Sequence, residues 1–309
     1  MHISVGEKTS GYVLCASYRL CVNCVTYTCH IRNSYNKSIS CRDNLMLDRV
    51  VATRFINPMG NGKTKPLLLE CERADGKTVE VVVKCSAGPT EGVKNLAIEA
   101  IAAMLAADLG LPVPEPLLVV VDKRLLATCT ERDDIRATWL KSLDLAFGTV
   151  RVPEGFAVWT RGAVVPDALC MEAAEVFAFD AIIVNSDRRP QNPNCLSSGS
   201  ELAIFDHELS FTQQGILFWK APWLEGGFKD YSGENHIFAK PHLKTTPTQM
   251  DRFVSAWEQL PDARFDEYRN ALPQEWKVDS QFLDFVMSYL RDAKGNIRTI
   301  VVNAMGALL

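Results

Sequence analysis

The chain has 309 residues, of which 47% are hydrophobic and 23% are charged. This composition is typical of a globular protein with room for one large domain or two lobes. A formal net charge of −4 gives no indication of a surface that binds nucleic acid directly. Because no apolar run approaches the roughly 20 residues that a membrane-spanning helix needs, we expect a cytoplasmic protein that does not contact the membrane.

The first 45 residues differ from the rest of the chain. They carry five of the ten cysteines and are net basic, whereas the remainder is net acidic. The pair Cys21 and Cys24 raises the alternative of a zinc site, but no second pair with suitable spacing follows. We therefore interpret these cysteines as reduced thiols. Residues 1–45 are predicted to be an N-terminal extension, either disordered or a product of start-site choice with Met46 as the true beginning.

Residues 46–160 have the pattern of an antiparallel β-rich lobe that carries one helix, and we predict that this lobe binds nucleotide. Apolar and β-branched runs predict five strands, at 50–55, 66–72, 78–84, 116–121 and 124–130. Residues 74–77 predict a tight hairpin turn between the second and third strands. The helix is predicted from Val93 to Leu109, where Gly110 supplies a C-terminal cap. Residues 131–155 give no clear pattern.

Helices dominate residues 161–309, which we predict to form the catalytic lobe. After a short strand at 156–160, helices are predicted at about 167–184, 247–260, 262–271 and 279–294. Several aromatic residues between the first and second of these helices are interpreted mainly as packing of this lobe: Phe218, Trp219, Trp223, Phe228 and Tyr231. The fold class is therefore α+β, with two lobes and a cleft between them.

Three polar residues follow one another in a chemically meaningful order. Asp187 comes directly after an apolar helix end, Asn192 lies five residues later, and Asp206 ends the strand-like run LAIF. Phosphoryl-transfer enzymes of the protein-kinase type use a carboxylate as base, then an amide that holds Mg²⁺, then a carboxylate that bridges metal and ATP phosphates. The sequence therefore predicts Asp187 as the catalytic base, with Asn192 and Asp206 as Mg²⁺ ligands.

A lysine and a glutamate upstream extend this set. Lys84 ends the third predicted strand, on the face opposite Val81 and Val83, and Glu99 lies in the predicted helix away from its apolar stripe. In kinases, a strand lysine contacts the α- and β-phosphates of ATP and a helix glutamate holds that lysine. Each residue alone would be an ordinary strand-end lysine or solvated glutamate. Upstream of the acidic loop, they are predicted to bind ATP.

A glycine-containing turn between the first two strands is the predicted cover of the nucleotide. Its backbone amides would lie over the phosphates, and its residues are Gly60, Asn61, Gly62, Lys63 and Thr64. A P-loop is excluded, because that pattern needs glycine at position 57, where this chain has Asn57, and because Lys65 and Pro66 lead into a strand. A plain hairpin turn remains the alternative.

Two supporting residues flank the acidic positions. Arg188, like the adjacent Arg189, either steers a polar acceptor or braces the loop through ion pairs, and we favour bracing for at least one of them. His207 either supports Asp206 or is an ordinary loop histidine with satisfied hydrogen bonds.

These segments resemble a known family. FDAIIVNSDRRPQNPNCL and ELAIFDHELSF are similar to the catalytic and metal-binding segments of HipA-like kinases, and the D-R-x-x-x-N core is similar to that of phosphoinositide kinases. The resemblance covers about 55–240. It implies a two-lobed protein-kinase-like fold that uses ATP and Mg²⁺, with the same roles for Asp187, Asn192, Asp206, Lys84 and Glu99.

The sequence departs from related kinases at two points. The triplet Asp206-His207-Glu208 lacks the glycine of ordinary protein kinases, which counts against a flipping activation segment but not against metal binding. Only a short leader precedes the kinase core, so neither toxin activity nor an antitoxin partner is implied.

The acceptor is expected to be a protein serine or threonine. The alternatives are a small-molecule or lipid acceptor, or a catalytically silent module that binds nucleotide and acts by interaction.

Overall fold

Five strands of the N-terminal half form a closed barrel in the computed structural model, which describes residues 46–59, 64–127, 133–240, 243 and 247–308. The strands are β1 (Asp48–Pro58), β2 (Leu67–Glu72), β3 (Thr78–Lys84), β4 (Pro116–Val120) and β5 (Leu145–Val150). Their order around the barrel is β1-β2-β3-β5-β4. All neighbouring strands are antiparallel except β1 and β4, whose parallel pairing closes the barrel.

The period-two alternation of the strands separates the barrel interior from its outer face. Val81 and Val83 of β3 are fully buried in the barrel core. Lys84 follows on the opposite face, as the alternation predicts. Gly148 of β5 leaves room for this packing, because an added Cβ would lie 2.5 Å from Val81 Cγ1 and 2.7 Å from a methyl group of Val119.

The strand predicted at 124–130 is wrong over its described part. Residues Lys123–Ala127 form helix α2, which begins where the Asp122 carboxylate accepts a hydrogen bond from the Arg124 backbone N–H at 2.7 Å. A side-chain acceptor at this position is a typical helix N-cap. The short apolar run did not reveal a helix, because periodicity alone does not separate short helices from strands. Helix α3 (Asp133–Leu140) follows and packs Ile135 against the barrel core.

Helix α1 (Val93–Asp108) lies outside the barrel, and its apolar residues join the core of the C-terminal half. Gly110 adopts a φ of +67° after the helix end, as expected for a C-terminal glycine cap. The Asp108 carboxylate accepts bonds from Arg264 Nε at 2.7 Å, from Arg264 Nη2 at 3.0 Å and from the Tyr268 hydroxyl at 2.7 Å. These contacts attach the helix firmly to the C-terminal half.

The C-terminal half combines helices with one small sheet. Its helices are α4 (Cys170–Ile182), α5 (Asp251–Gln259), α6 (Asp262–Ala271), α7 (Ser280–Gly295) and α8 (Ile297–Ala307). The first three lie within the predicted ranges and α7 extends one residue beyond its range, whereas α8 was not predicted. The sheet contains β6 (Ala157–Val158), β7 (Cys195–Ser197) and β8 (Leu202–Ile204), all antiparallel. Among the described helices, none is both long enough and apolar enough to cross a membrane.

The fold is thus the predicted α+β arrangement of a β-rich lobe and a helical lobe. The described residues belong to one compact unit that spans 45–309. The lobe boundary near residue 160 stays a prediction. The N-terminal extension, together with the zinc alternative at Cys21 and Cys24, lies outside the described residues.

Candidate active site

Helix α4 carries the chain into the loop that contains Asp187. Asp180, in the last turns of this helix, is fully buried. Its carboxylate accepts a hydrogen bond from the Asn185 side-chain amide at 2.9 Å, and the Asn185 side-chain oxygen accepts the backbone N–H of Asp187 at 3.2 Å. The start of the loop is therefore fixed to the end of the helix through Asn185.

Arg188 is the central brace of this loop. Its guanidinium is fully buried and donates to Asp180 through Nε at 2.6 Å and Nη2 at 3.2 Å. Its Nη1 donates to the backbone carbonyl of Asn194 and to that of Phe205 at 3.3 Å. The side chain thus joins α4 to both ends of the β7–β8 hairpin.

The charge state of Asp180 depends on these partners. Burial opposes ionisation, but Arg188 and His236 more than offset this effect, so the pKa of Asp180 lies well below its ordinary value. His236 Nε2 lies 2.8 Å from Asp180 Oδ2. Burial lowers the pKa of His236 below 6.5, despite the opposing effect of the Asp180 carboxylate.

The Asp187 carboxylate lies near the surface, with its side chain 15% exposed. It accepts hydrogen bonds from the side-chain nitrogens of Asn192 at 2.6 Å, Asn194 at 3.3 Å and Arg189 at 3.1 Å. The structure therefore brings Asp187 and Asn192 together. Asn192 uses its amide nitrogen in this contact, while its amide oxygen is the atom that would bind a cation.

The β7–β8 hairpin connects this loop to Asp206. Cys195 pairs with Ile204 across the hairpin, and the Phe205 N–H donates to the Asn194 carbonyl at 3.2 Å. Asp206 follows two residues after β8 and has a φ of +64°. This left-handed conformation is uncommon for residues other than glycine, and such strain is concentrated at functional sites.

Lys84 lies among three carboxylates. Its Nζ contacts Asp206 Oδ1 and lies 3.2 Å from Glu99 Oε2 and 3.3 Å from Glu208 Oε2. The structure therefore places three predicted site residues, Lys84, Glu99 and Asp206, in one cluster. One oxygen from each of the three carboxylates lies within 4.8 Å of the others, and together they offer the oxygen ligands that Mg²⁺ prefers.

Mutual electrostatics set the protonation of this cluster. Burial opposes the charge on Lys84, but the three carboxylates raise its pKa above the ordinary range. Glu99 is also buried, yet the Lys84 ammonium lowers the pKa of Glu99 below its ordinary value. Glu208 differs, because burial and the neighbouring carboxylates raise its pKa despite the nearby lysine. An excess of negative charge therefore surrounds one cation.

The predicted nucleotide cover, Gly60 to Thr64, is described only at its last residue. Gly60 to Lys63 lie outside the described residues. The backbone carbonyl of Thr64 packs closely against Gly88 in the loop after β3. The approach leaves no room for a side chain at position 88, because an added Cβ would lie 2.4 Å from the Thr64 carbonyl oxygen. The part played by this turn in nucleotide binding stays a prediction.

Several residues of the site were missed by sequence reasoning. The new members are Asp180, Asn194, Glu208 and His236. Asp180 carried a signal, because it is a lone charge within the apolar run VFAFDAIIV. Glu208 carried a weaker signal, as a second carboxylate two residues after Asp206. The contacts of Asn194 and His236 depend on the folding of distant segments, which local sequence does not reveal.

Lys84→Met should destabilise the protein in the absence of divalent cations, because it leaves three close carboxylates without their cation. We expect the free energy of unfolding to fall by about 3 kcal/mol, as measured by urea denaturation in EDTA. Lys94→Met is the matched control. Lys94 pairs with the more exposed Asp279 at 3.4 Å, and its loss should cost about 1 kcal/mol or less. Equal losses in the two variants would contradict the account of the cluster.

His236 should make stability depend on pH. Its folded-state pKa is depressed, so the unfolded chain binds a proton more readily than the folded protein below about pH 6.5. The free energy of unfolding should therefore decrease as the pH falls from 7 to 5. In His236→Gln, whose amide does not titrate, this decrease should be smaller, as measured by urea denaturation at each pH. Identical pH slopes in the two proteins would refute this assignment.

Comparison with known proteins places these features in a family. The model of the HipA-like kinase family matches residues 52–297, whereas no curated protein matches the sequence. Among solved structures, the proinflammatory kinase CtkA of Helicobacter pylori is 12% identical over 82% of this chain and 96% of that chain, with a TM-score of 0.47. The Golgi casein kinase with Mn/ADP bound is 11% identical over 84% of this chain and 75% of that chain, with a TM-score of 0.46. Since the family match extends over most of the sequence, the chain belongs to the HipA-like kinase family and is a kinase.

Proposed function

We propose that this kinase transfers the γ-phosphoryl group of ATP, with Mg²⁺, to a serine or threonine hydroxyl of a protein. The observation that carries the proposal is the convergence of two groups of side chains. Lys84 contacts Asp206 directly, and the Arg188 guanidinium ties the Asp187 loop to the backbone one residue before Asp206. These contacts support a single site that combines base, metal-ligand and phosphate-binding chemistry.

The donor set fits a magnesium–nucleotide complex. Asp206 and Glu208 offer carboxylate oxygens and Asn192 offers an amide oxygen, whereas Mg²⁺ in kinases takes one or two carboxylates together with substrate phosphates. When bound, the metal would neutralise negative charge on the transferring phosphoryl group. Asp206, which contacts Lys84 and follows the hairpin, would be the principal protein ligand.

Lys84 would bind the phosphates of the nucleotide. Its ammonium contacts three carboxylates, which together exceed its single charge. When a nucleotide binds together with Mg²⁺, the metal would bind the Asp206 carboxylate. Lys84 would then be free to contact the phosphate oxygens. Glu99 would keep the lysine aligned during this exchange, because it is buried and lies on the firmly packed helix α1.

Asp187 would orient the acceptor hydroxyl and accept its proton. Asn192, Asn194 and Arg189 donate to its carboxylate and so fix the plane of the carboxylate group. A base fixed in this manner lowers the entropic cost of bringing the acceptor into line with the γ-phosphate. Positioning and charge neutralisation would therefore provide most of the rate enhancement.

Exposed apolar side chains favour a protein acceptor over a small molecule. In the segment that follows the Asp206–Glu208 triplet, Leu217 is 80% exposed and Phe218 is 89% exposed. Clustered exposed apolar groups are typical of protein-binding surfaces. Incubation with γ-labelled ATP, Mg²⁺ and Ser/Thr-containing proteins or small hydroxyl compounds tests the acceptor class. Label only on small compounds would contradict a protein acceptor.

The described cysteines are free thiols, which supports a reducing, cytoplasmic setting.

Asp187→Asn should abolish transfer while nucleotide binding is retained, because only the base is removed. We expect the rate of label transfer to fall by about 10²- to 10⁴-fold, with little change in the Kd for Mg²⁺–ATP measured by calorimetry. Asp292→Asn, the same change at an exposed position of α7, is the matched control and should transfer label normally. Turnover like that of the natural chain in Asp187→Asn would rule out this mechanism.

Asp206→Asn should instead weaken the binding of the metal–nucleotide complex, because a carboxylate ligand becomes a neutral amide. We expect the Kd for Mg²⁺–ATP to rise about tenfold or more in calorimetry, a loss of at least 1.4 kcal/mol. In EDTA, the affinity for ATP alone should fall much less or even rise, since a negative charge near the phosphates is removed. An unchanged Kd for Mg²⁺–ATP would remove Asp206 from the metal site.

A further inference from the structure

One histidine joins the two halves of the candidate site. His207 is fully buried between Arg188, which belongs to the loop of Asp187, and Glu99, which contacts Lys84. Its Nε2 lies 3.0 Å from Arg188 Nη2, and its Nδ1 lies 3.7 Å from Glu99 Oε1. The ring packs edge-on against Phe179 of α4. The imidazole thus has one polar contact on each side and an apolar neighbour.

The contacts determine which ring nitrogen carries the proton. Arginine only donates hydrogen bonds, so the contact with Arg188 requires His207 Nε2 to be the acceptor. In the neutral ring the proton then lies on Nδ1. Among the described residues, Nδ1 has no hydrogen-bond partner, and the anionic oxygen of Glu99 lies slightly beyond hydrogen-bond distance. A buried donor without a partner is costly, which favours closer approach of Glu99.

We propose that His207 is a positioning residue that orients Glu99, and through Glu99 the nucleotide-binding Lys84. Arg188 holds the ring from one side, because the guanidinium is itself fixed by Asp180. The Nδ1–H of His207 then holds Glu99 from the other side when Lys84 turns towards the nucleotide. The inference rests on the proposed function, in which Lys84 and Glu99 bind ATP.

This role differs from both interpretations that the sequence left open, support of Asp206 and an ordinary loop histidine with satisfied hydrogen bonds. The polar contacts of the ring lead to Arg188 and Glu99. His236 offers a natural comparison, because it is also a buried histidine in the same network. It contacts Asp180 at 2.8 Å, and its own Nδ1 accepts the Phe238 N–H at 3.1 Å. His236 therefore braces the far side of the ion pair without facing Glu99.

The first test compares nucleotide and acceptor kinetics in two variants of the full chain. His207→Phe keeps the ring and its packing against Phe179 but removes both polar contacts. It should raise the KM for ATP about 10- to 100-fold, the range found when a residue that orients a metal-binding side chain is lost, with little change in the KM for acceptor. His207→Gln restores one acceptor and one donor and should recover most of the loss.

A double-mutant cycle separates this role from general support of the fold. Glu99→Gln is introduced into the natural chain, into His207→Phe and into His236→Phe. If His207 acts through Glu99, His207→Phe should change the KM for ATP by less than about threefold once Glu99→Gln is present. His236→Phe should have the same fold-effect with and without Glu99→Gln. Fully multiplicative effects of His207→Phe and Glu99→Gln would overturn the proposal.

The outcomes also distinguish the two proposals. If Glu99→Gln raises the KM for ATP but the effect of His207→Phe multiplies with it, only the role of His207 fails. If Glu99→Gln has no effect on the KM for ATP, the proposed nucleotide site fails and the role of His207 fails with it.

Nuclear magnetic resonance of the unmodified sequence tests the protonation of the ring directly, and a variant is needed only to assign the signals. With ¹⁵N-labelled histidine, His207 should show a protonated Nδ1 and an unprotonated Nε2, and His207→Gln identifies its signals. A protonated Nε2 is incompatible with acceptance from Arg188 and would overturn the proposal.

Discussion

The buried ion pair between Asp180 and Arg188 is the interaction on which the geometry of the site depends. Removing two charges from water is costly and is offset only when the geometry is good and further hydrogen bonds complete the set. Here Asn185 and His236 also bind the carboxylate, and two backbone carbonyls accept from the guanidinium. The pair therefore stabilises one conformation of the loop and hairpin, and it sets Asp187 relative to the segment that leads to Asp206.

Helix α1 extends the same fixed framework to the nucleotide side of the site. Its end is bonded to α6 through Asp108, and near its start the Asn95 amide donates to the Glu208 carbonyl at 2.7 Å. Glu99 is therefore positioned by the helical half, in the same framework as Asp206 and Glu208. Lys84 is the member of the cluster that the barrel contributes. Binding of nucleotide is then an exchange of partners by this lysine, between carboxylates that stay in place and phosphates that arrive.

The sequence predicted features governed by local periodicity and chain order. Strand alternation put Lys84 on the face away from Val81 and Val83, and the chain order of kinase sites, with the acidic loop downstream, linked it to Glu99. The contacts of Asp180 and the approach of Glu208 to Lys84 depend on segments far apart in the chain, so no local pattern predicts them. The described part of the run at 124–130, residues 124–127, was misread as a strand because its few apolar residues are compatible with either structure. The N-cap that distinguishes the two is a side-chain contact. The parallel closure of β1 on β4 likewise depends on the three-dimensional course of the chain.

A crystal structure with Mn²⁺ and a non-hydrolysable ATP analogue, with the metal located by its anomalous scattering, would show whether Lys84 and Asp206 exchange partners in this way. We expect a Mn²⁺ peak at the Asp206 carboxylate, close to the phosphates of the analogue. Lys84 should have left Asp206 for the phosphate oxygens while it keeps its contact with Glu99, and the terminal phosphate should face Asp187. A nucleotide bound elsewhere, or a metal without contact to Asp206, would contradict the claim that these two groups of side chains form one phosphoryl-transfer site.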